Sequence, residues 1–393
     1  MAGRKTGNEG GTIRSGAEKA RARNKRKLIL FVFELLVIVV MIVILYFVMR
    51  ETEETEGPIY ASTQDLTPAD LGISEQVQER LREQGGAIQT SEDGTVTTST
   101  KYLNLAFFGI DALSTKSSDL LSGYRSDSIM IASINTETGE VKLVSVYRDT
   151  YLNIGNNTYN KCNSAYAKGG AVQAVSMLNS NLDLDITNWV AVSYKALVTA
   201  INDLGGVYID VDSAELEHIN NYQISIAQAM KLNESSITPV STTGYQLLNG
   251  LQAAAYCRIR YTAGDDYKRA ERQREVVKAM TDQAKSRDFT TLSNTFTDVI
   301  NYTYTSLDSD TILALLKNIT KYTIVDENGI PQESMRTGAK LPAKGDCVIP
   351  KNLEQNVVWL HAFLFGEENY VPSSTVKSYS SKIASDASAY IGN

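Results

Sequence analysis

The sequence predicts an α/β fold, a mixed central sheet with helices on both faces, preceded by one transmembrane helix. Three observations lead there. Short apolar stretches that read as strands alternate with longer stretches of helical period. Residues 135–140, which contain Thr138-Gly139, join two of those strands as a hairpin, so the sheet is partly antiparallel. Residues 28–49 form a 22-residue apolar run with a single charge, Glu34, long enough to span a bilayer as a helix.

Charge orients that run. The chain has 393 residues and a net charge of −7, but residues 1–27 carry nine Lys and Arg against Glu9 and Glu18. Glu51, Glu53, Glu54 and Glu56 follow the apolar run. The positive-inside rule then puts the N-terminus in the cytoplasm and everything after residue 50 outside the cell membrane. No small-residue cleavage site follows, so the segment reads as an uncleaved single-pass anchor. Glu34 has three readings: a functional group, a side chain snorkelling to the interface, or one buried against a partner helix. The three cysteines, Cys162, Cys257 and Cys347, cannot all pair and do not make a disulfide scaffold. No zinc spacing occurs, and two histidines, His218 and His361, make a histidine-based triad a poor candidate. The 27-residue cytoplasmic tail has no helix-turn-helix, and no nucleic-acid partner is expected.

Taken in order, residues 50–101 read as a spacer, with a helix over 67–84 and a loose Thr/Ser-rich linker over 90–100. The folded domain is expected over 102–372, with a tail at 373–393. Strands are predicted at 103–109, 128–134 and 141–147, then a helix over 161–179, a short strand at 190–192 and a helix over 194–204. Gly205-Gly206 reads as a helix end and tight turn rather than a phosphate loop. A strand at 207–211, a loop over 230–249, helices near 292–304 and 309–321, strands near 322–325 and 347–349, and a helix over 353–365 complete the reading.

Two groups of charged residues stand out. If the loop after the first strand is local, the second strand starts at the sheet edge where the first ended, and the third returns to that edge. Asp111, Arg125, Asp127 and Arg148 then gather along one rim; a surface salt-bridge cluster is the alternative. The other group lies in residues 244–274. In Tyr256-Cys257-Arg258-Ile259-Arg260-Tyr261 the arginines alternate with apolar residues, as on one face of a strand. Past the turn signal Ala263-Gly264-Asp265-Asp266, the residues Arg269, Arg272 and Gln273 share a helix face. Converging guanidiniums repel unless an anion lies among them, and their forked donors suit phosphate oxygens; a solvated charged helix beside an edge strand is the alternative. Two rim aspartates suit a magnesium ion that bridges to phosphates. With no nucleotide motif, an exported, membrane-tethered phosphate site points to a lipid-linked phosphate or pyrophosphate.

These pieces resemble the LytR-CpsA-Psr family of bacterial cell envelopes. The matching motifs are Asn104-Leu105-Ala106-Phe107-Phe108-Gly109-Ile110-Asp111, Arg125-Ser126-Asp127-Ser128, Ser145-Val146-Tyr147-Arg148-Asp149-Thr150, and Asn163-Ser164-Ala165-Tyr166 with Gly169-Gly170. Asp203-Leu204-Gly205-Gly206-Val207, Leu248-Asn249-Gly250 with Ala255-Tyr256-Cys257-Arg258-Ile259-Arg260, and Asp266-Tyr267-Lys268-Arg269-Ala270-Glu271-Arg272-Gln273-Arg274 follow in family order. Tyr147 stands where the family often has Pro, and Cys162 and Ser164 where Ile and Ala are frequent.

The resemblance implies an extracytoplasmic, magnesium-dependent phosphotransferase with the family's α-β-α fold. It would move a glycopolymer, such as teichoic acid or capsule, from an undecaprenyl-pyrophosphate carrier to peptidoglycan through a phosphodiester, in cell wall assembly. Asp111 and Asp127 would hold Mg2+ and, with Arg148, form the catalytic group. Arg125, Arg148, Arg258, Arg260, Arg269, Arg272 and Gln273 would bind the pyrophosphate. Either aspartate could take the acceptor's proton. Two other classes stay open: a hydrolase of the polyprenyl-pyrophosphate glycan, and a non-catalytic envelope regulator or lipid-binding sensor.

Overall fold

The computed structural model describes residues 59–61, 66–83, 87–90, 96–99, 101–111, 117–260 and 265–391. The expected basic tail and the apolar anchor at 28–49 lie outside them. Among the described residues no helix is long and apolar enough to cross a membrane.

The chain runs through β1 (Ile59–Tyr60), α1 (Glu75–Glu83), β2 (Ala87–Thr90), β3 (Val96–Ser99), β4 (Tyr102–Ile110), β5 (Ser126–Asn135) and β6 (Glu140–Val146). Next come β7 (Tyr151–Asn153), β8 (Tyr159–Lys161), α2 (Ser164–Leu182), β9 (Asn188–Val192), α3 (Tyr194–Asp203), β10 (Val207–Val211), α4 (Leu216–Ala229) and β11 (Gly244–Leu248). The second half holds α5 (Gly250–Tyr256), α6 (Asp265–Lys285), α7 (Phe289–Ile300), β12 (Thr303–Thr305), α8 (Ser309–Lys317) and β13 (Thr323–Ile330). It ends with β14 (Arg336–Leu341), β15 (Gly345–Pro350), α9 (Leu353–Phe365) and α10 (Ser374–Ala387).

Seven strands make the central sheet in the order β1-β12-β9-β4-β5-β6-β13. The β4–β5 and β5–β6 pairs are antiparallel, while β9 runs parallel to β4 and β13 parallel to β6. The mixed sheet therefore follows from the hairpin at 135–140 plus helical crossovers. Strand alternation divides the apolar residues between two layers. Ala106, Phe108, Ile110, Ile129 and Ile131 pack with α2, α9 and α10 on one face. Leu105, Met130, Ala132 and Leu143 meet Val277 of α6 and Ile312 and Leu315 of α8 on the other. A smaller core under the ribbon β10–β11 joins α3, α4 and α5.

Several local expectations are corrected. The first helix starts at Glu75, not at residue 67, because Thr67 and Asp70 close a polar turn on each other. Part of the expected linker is strand: β3 pairs antiparallel with β2, in keeping with the strand preference of Thr. The expected tail past residue 372 contains α10, whose Val376, Ile383 and Ala387 are buried in the main core. The helix over 161–179 begins at Ser164, ends at Leu182 and breaks at Gly169-Gly170. The Gly205-Gly206 pair does end a helix: both have positive φ, and their N–H groups donate to Asn202 and Ile201 carbonyls.

Candidate active site

Strand directions build one wall of the site. Antiparallel order brings the end of β4, the start of β5 and the end of β6 to a single rim, and β9 delivers the start of α3 there too. Asp111 follows β4, and its N–H donates to the Arg125 carbonyl at 3.1 Å. The β4–β5 register passes from Gly109↔Ser128 to Ile110↔Ser126, so Asp127 is the extra residue of a β-bulge. Arg148 follows β6, and its Nη1 donates to Asp127 Oδ1 at 2.5 Å. Asp111 Oδ1 is buried and has no hydrogen-bond partner among the described residues. Burial first, and then the Asp127 carboxylate, push the Asp111 pKa up.

The second wall is α5, the turn after it, and α6. Asn249 and Gln252 form a capping box that opens α5, and the small residues Ala253, Ala254 and Ala255 continue it through the core. This corrects the strand expected over 256–261: Tyr256 ends a helix, and Cys257 and Arg258 form a turn. The alternation is real in burial, with Cys257 and Ile259 inside and Arg258 and Arg260 partly outside. Arg258 stacks over Tyr194 at 5.2 Å and Tyr222 at 5.6 Å, and its Nη1 is buried with no hydrogen-bond partner among the described residues.

The two walls meet at Asp266. Arg260 Nε and Arg269 Nη1 each lie 3.2 Å from Asp266 Oδ1, and Arg148 Nε lies 3.8 Å from Oδ2. Arg269 Nη2 also donates to the Asp127 carbonyl at 3.4 Å. Asp149 completes the cluster, 3.8 Å from Arg148 Nε and 3.3 Å from Lys161 Nζ. Burial opposes ionisation of Asp266, but Arg269 and Arg148 outweigh it and pull its pKa down. The Asp149 pKa moves up, through burial first and then the neighbouring Asp266 carboxylate. Burial also lowers the Arg269 pKa, with Arg148 adding repulsion. For Arg148, burial acts downward, but Asp127, Asp266 and Asp149 together push its pKa up.

Thus Asp111, Asp127, Arg148, Arg258, Arg260 and Arg269 gather as the sequence predicts. Arg125 stands at the same rim with an exposed side chain. Gln273 donates to the Cys257 carbonyl at 3.5 Å and so supports the turn that carries Arg258. Arg272 is placed differently: it is 1% exposed, its Nε donates to Glu215 Oε1 at 2.7 Å, and its Nη1 donates to the Ile259 carbonyl at 3.3 Å, so it braces the turn between Arg258 and Arg260. Asp149, Lys161, Tyr194, Tyr222 and Asp266 were not singled out. Asp266 had a legible signal, since it stands three residues before Arg269 on one helix.

The rim fits a magnesium ion on its donor chemistry. Two carboxylates close enough to repel, one with an orphaned buried oxygen, are a hard-cation donor pair. Among the described residues no group of three or more His, Cys, Asp or Glu is arranged to hold a metal.

Comparison with known proteins bears on the family and the fold. The profile of the LytR_cpsA_psr family matches residues 72–350. The polyisoprenyl-teichoic acid–peptidoglycan teichoic acid transferase TagT of Bacillus subtilis is 31% identical over 183 residues, 47% of this chain and 53% of that protein. Biofilm regulatory protein A of Streptococcus mutans is 30% identical over 185 residues, 45% of this chain and 43% of that protein. The chain thus spans about half the length of the curated relatives it matches. The crystal structure of B. subtilis TagV shares the fold, with a TM-score of 0.54 at 22% identity, covering 70% of this chain and 100% of that one.

Proposed function

The chain belongs to the LytR_cpsA_psr family, and from that premise we propose that it transfers a glycopolymer from an undecaprenyl-pyrophosphate carrier to peptidoglycan. The observation that carries this reading is the convergence of Arg148, Arg260 and Arg269 on Asp266, beside Asp111 and Asp127. Three guanidiniums around one small anion form a site for a larger one. Charge-assisted bonds of roughly 1.5–3 kcal/mol each favour a diphosphate that can replace the carboxylate as their acceptor.

In this reading Arg148, Arg258, Arg260 and Arg269 hold the diphosphate oxygens and stabilise charge on the transferring phosphoryl group. An acceptor sugar hydroxyl attacks the phosphorus that bears the glycan. The new P–O bond forms as the bond to the bridging oxygen breaks, and polyprenyl phosphate leaves with that oxygen. A rim carboxylate takes the hydroxyl proton. Magnesium held by Asp111 and Asp127 would neutralise charge on the phosphate oxygens. The anchor at residues 28–49 would tether the catalytic unit outside the membrane, next to its lipid substrate.

The test is incubation of the full chain, in membranes, with a polyprenyl-pyrophosphoryl glycan and peptidoglycan oligomers, with and without magnesium. The expected product is glycan linked to peptidoglycan through a phosphodiester, only with magnesium present. Free glycan phosphate as the sole product would make the protein a hydrolase. Topology is checked with single cysteines at residues 10 and 300 and a membrane-impermeant label, which should reach only the latter in intact cells.

A further inference from the structure

Arg336, the first residue of β14, lies outside the cluster of acids and arginines but touches its supports. Its guanidinium carbon is 3.7 Å from the Tyr267 ring centroid and 4.9 Å from that of Tyr147. Those two rings meet edge to face, centroids 4.7 Å apart at 83°. Tyr147 directly precedes Arg148, and Tyr267 directly follows Asp266. The stack therefore ties together the two backbones whose side chains approach to 3.8 Å in the site.

The other end of the stack is fixed as well. Arg336 Nη1 donates to the Pro331 carbonyl at 3.1 Å, and the Tyr147 N–H donates to the Ile330 carbonyl at 3.1 Å. A Cβ on Gly329 would meet the Tyr147 hydroxyl oxygen at 2.1 Å, so the end of β13 is shaped to receive this ring.

We propose that Arg336, through Tyr267 and Tyr147, is a positioning residue that sets the separation of Arg148 from Asp266 and so the spacing of the anion-binding arginines. The inference rests on the diphosphate reading of the site. Cation–π attraction needs a charge over the ring rather than a forked donor, so Lys keeps that part of the contact while giving up the planar stack and the Nη1 bond to Pro331. Displacement of about 1 Å in a site of this kind has large functional effects.

The experiment compares full-length wild type, Arg336→Ala, Arg336→Lys and the exposed control Arg82→Ala. It measures inorganic pyrophosphate affinity, donor KM and kcat, the thermal midpoint, and the crystallographic Arg148–Asp266 distance. Arg336→Ala is expected to weaken pyrophosphate binding and raise donor KM by about tenfold, with a small change in midpoint. Its Arg148–Asp266 separation should exceed 3.8 Å. Arg336→Lys should recover part of both losses, and Arg82→Ala should match wild type. An unchanged separation in Arg336→Ala overturns the clamp, whatever pyrophosphate does. Wild-type affinity in Arg336→Ala, or a loss that Lys fails to restore, also overturns it. Failure of the wild type to bind pyrophosphate, with a separation that still changes in Arg336→Ala, overturns the diphosphate reading and leaves the clamp standing.

Discussion

The sheet rim and helix α6 both supply charged side chains to the site, yet they do so under different constraints. Asp111, Asp127 and Arg148 reach one edge because antiparallel pairing permits no other arrangement of those strand ends. Helix α6 presents three arginines within six residues, and each has a different destination. Arg269 joins Asp266 in the site, Arg272 is locked to Glu215, and Arg274 Nη1 donates to Ser145 Oγ at 2.9 Å on the far side. Topology fixes the first set. The second set is sorted by partners that lie far away in sequence.

The largest expected effect separates fold from site on α6 itself. Arg272→Met leaves Glu215 as an uncompensated buried charge and should cost roughly 3–5 kcal/mol of stability. The double variant Arg272→Met/Glu215→Leu should regain most of it, as read by chemical denaturation. If Arg272→Met instead melted like wild type and lost only pyrophosphate binding, the division of labour along α6 would be wrong. Next, Arg148→Ala at the rim should reduce transfer by on the order of 10²- to 10³-fold, the scale seen when one preorganised charge stabiliser is removed. A loss of a few-fold would show that strand topology had gathered a salt bridge and not a site.

Arg274→Ala comes third. Simple helix geometry suggests a tolerant position one step round from Gln273. The structure buries Arg274 to 5% exposure, so about 1–3 kcal/mol of stability should go, with kcat unchanged in the folded fraction. The smallest effect has the opposite sign. Asp266→Asn keeps the shape but removes the charge that occupies three arginines, so pyrophosphate affinity should rise by roughly threefold to tenfold. Weaker binding in calorimetry would mean that Asp266 orients the arginines more than it competes for them.

This contrast also explains what was legible in the sequence. The rim could be read because three apolar stretches and one Thr-Gly turn determine strand direction, and direction alone places Asp111, Asp127 and Arg148. The arginine segment could be read in burial but not in backbone. Four residues of in–out alternation suit a strand, yet the exit turn of a capped helix produces the same pattern at Cys257, Arg258, Ile259 and Arg260. Arg272 shares a helix face with Arg269 by spacing, but Glu215, 57 positions earlier, captured it. No local pattern announces such a partner. Asp149 and Asp266 were visible in the motifs, but they come to share Arg148 only once two walls meet.

The bulge at Asp127 bears on how this chain is aligned and re-engineered. One strand carries one residue more than its neighbour at the point where Gly109 faces Ser128. Removing that residue would restore a regular ladder and turn the side chains beyond it to the opposite face. A pairwise alignment that closes the gap to gain a match would put the wrong residue in the aspartate's column while keeping the surrounding motif intact. Grafting this site onto another sheet therefore means copying an insertion as well as the side chains. A scaffold with perfectly matched strands would present the correct letters on the wrong side.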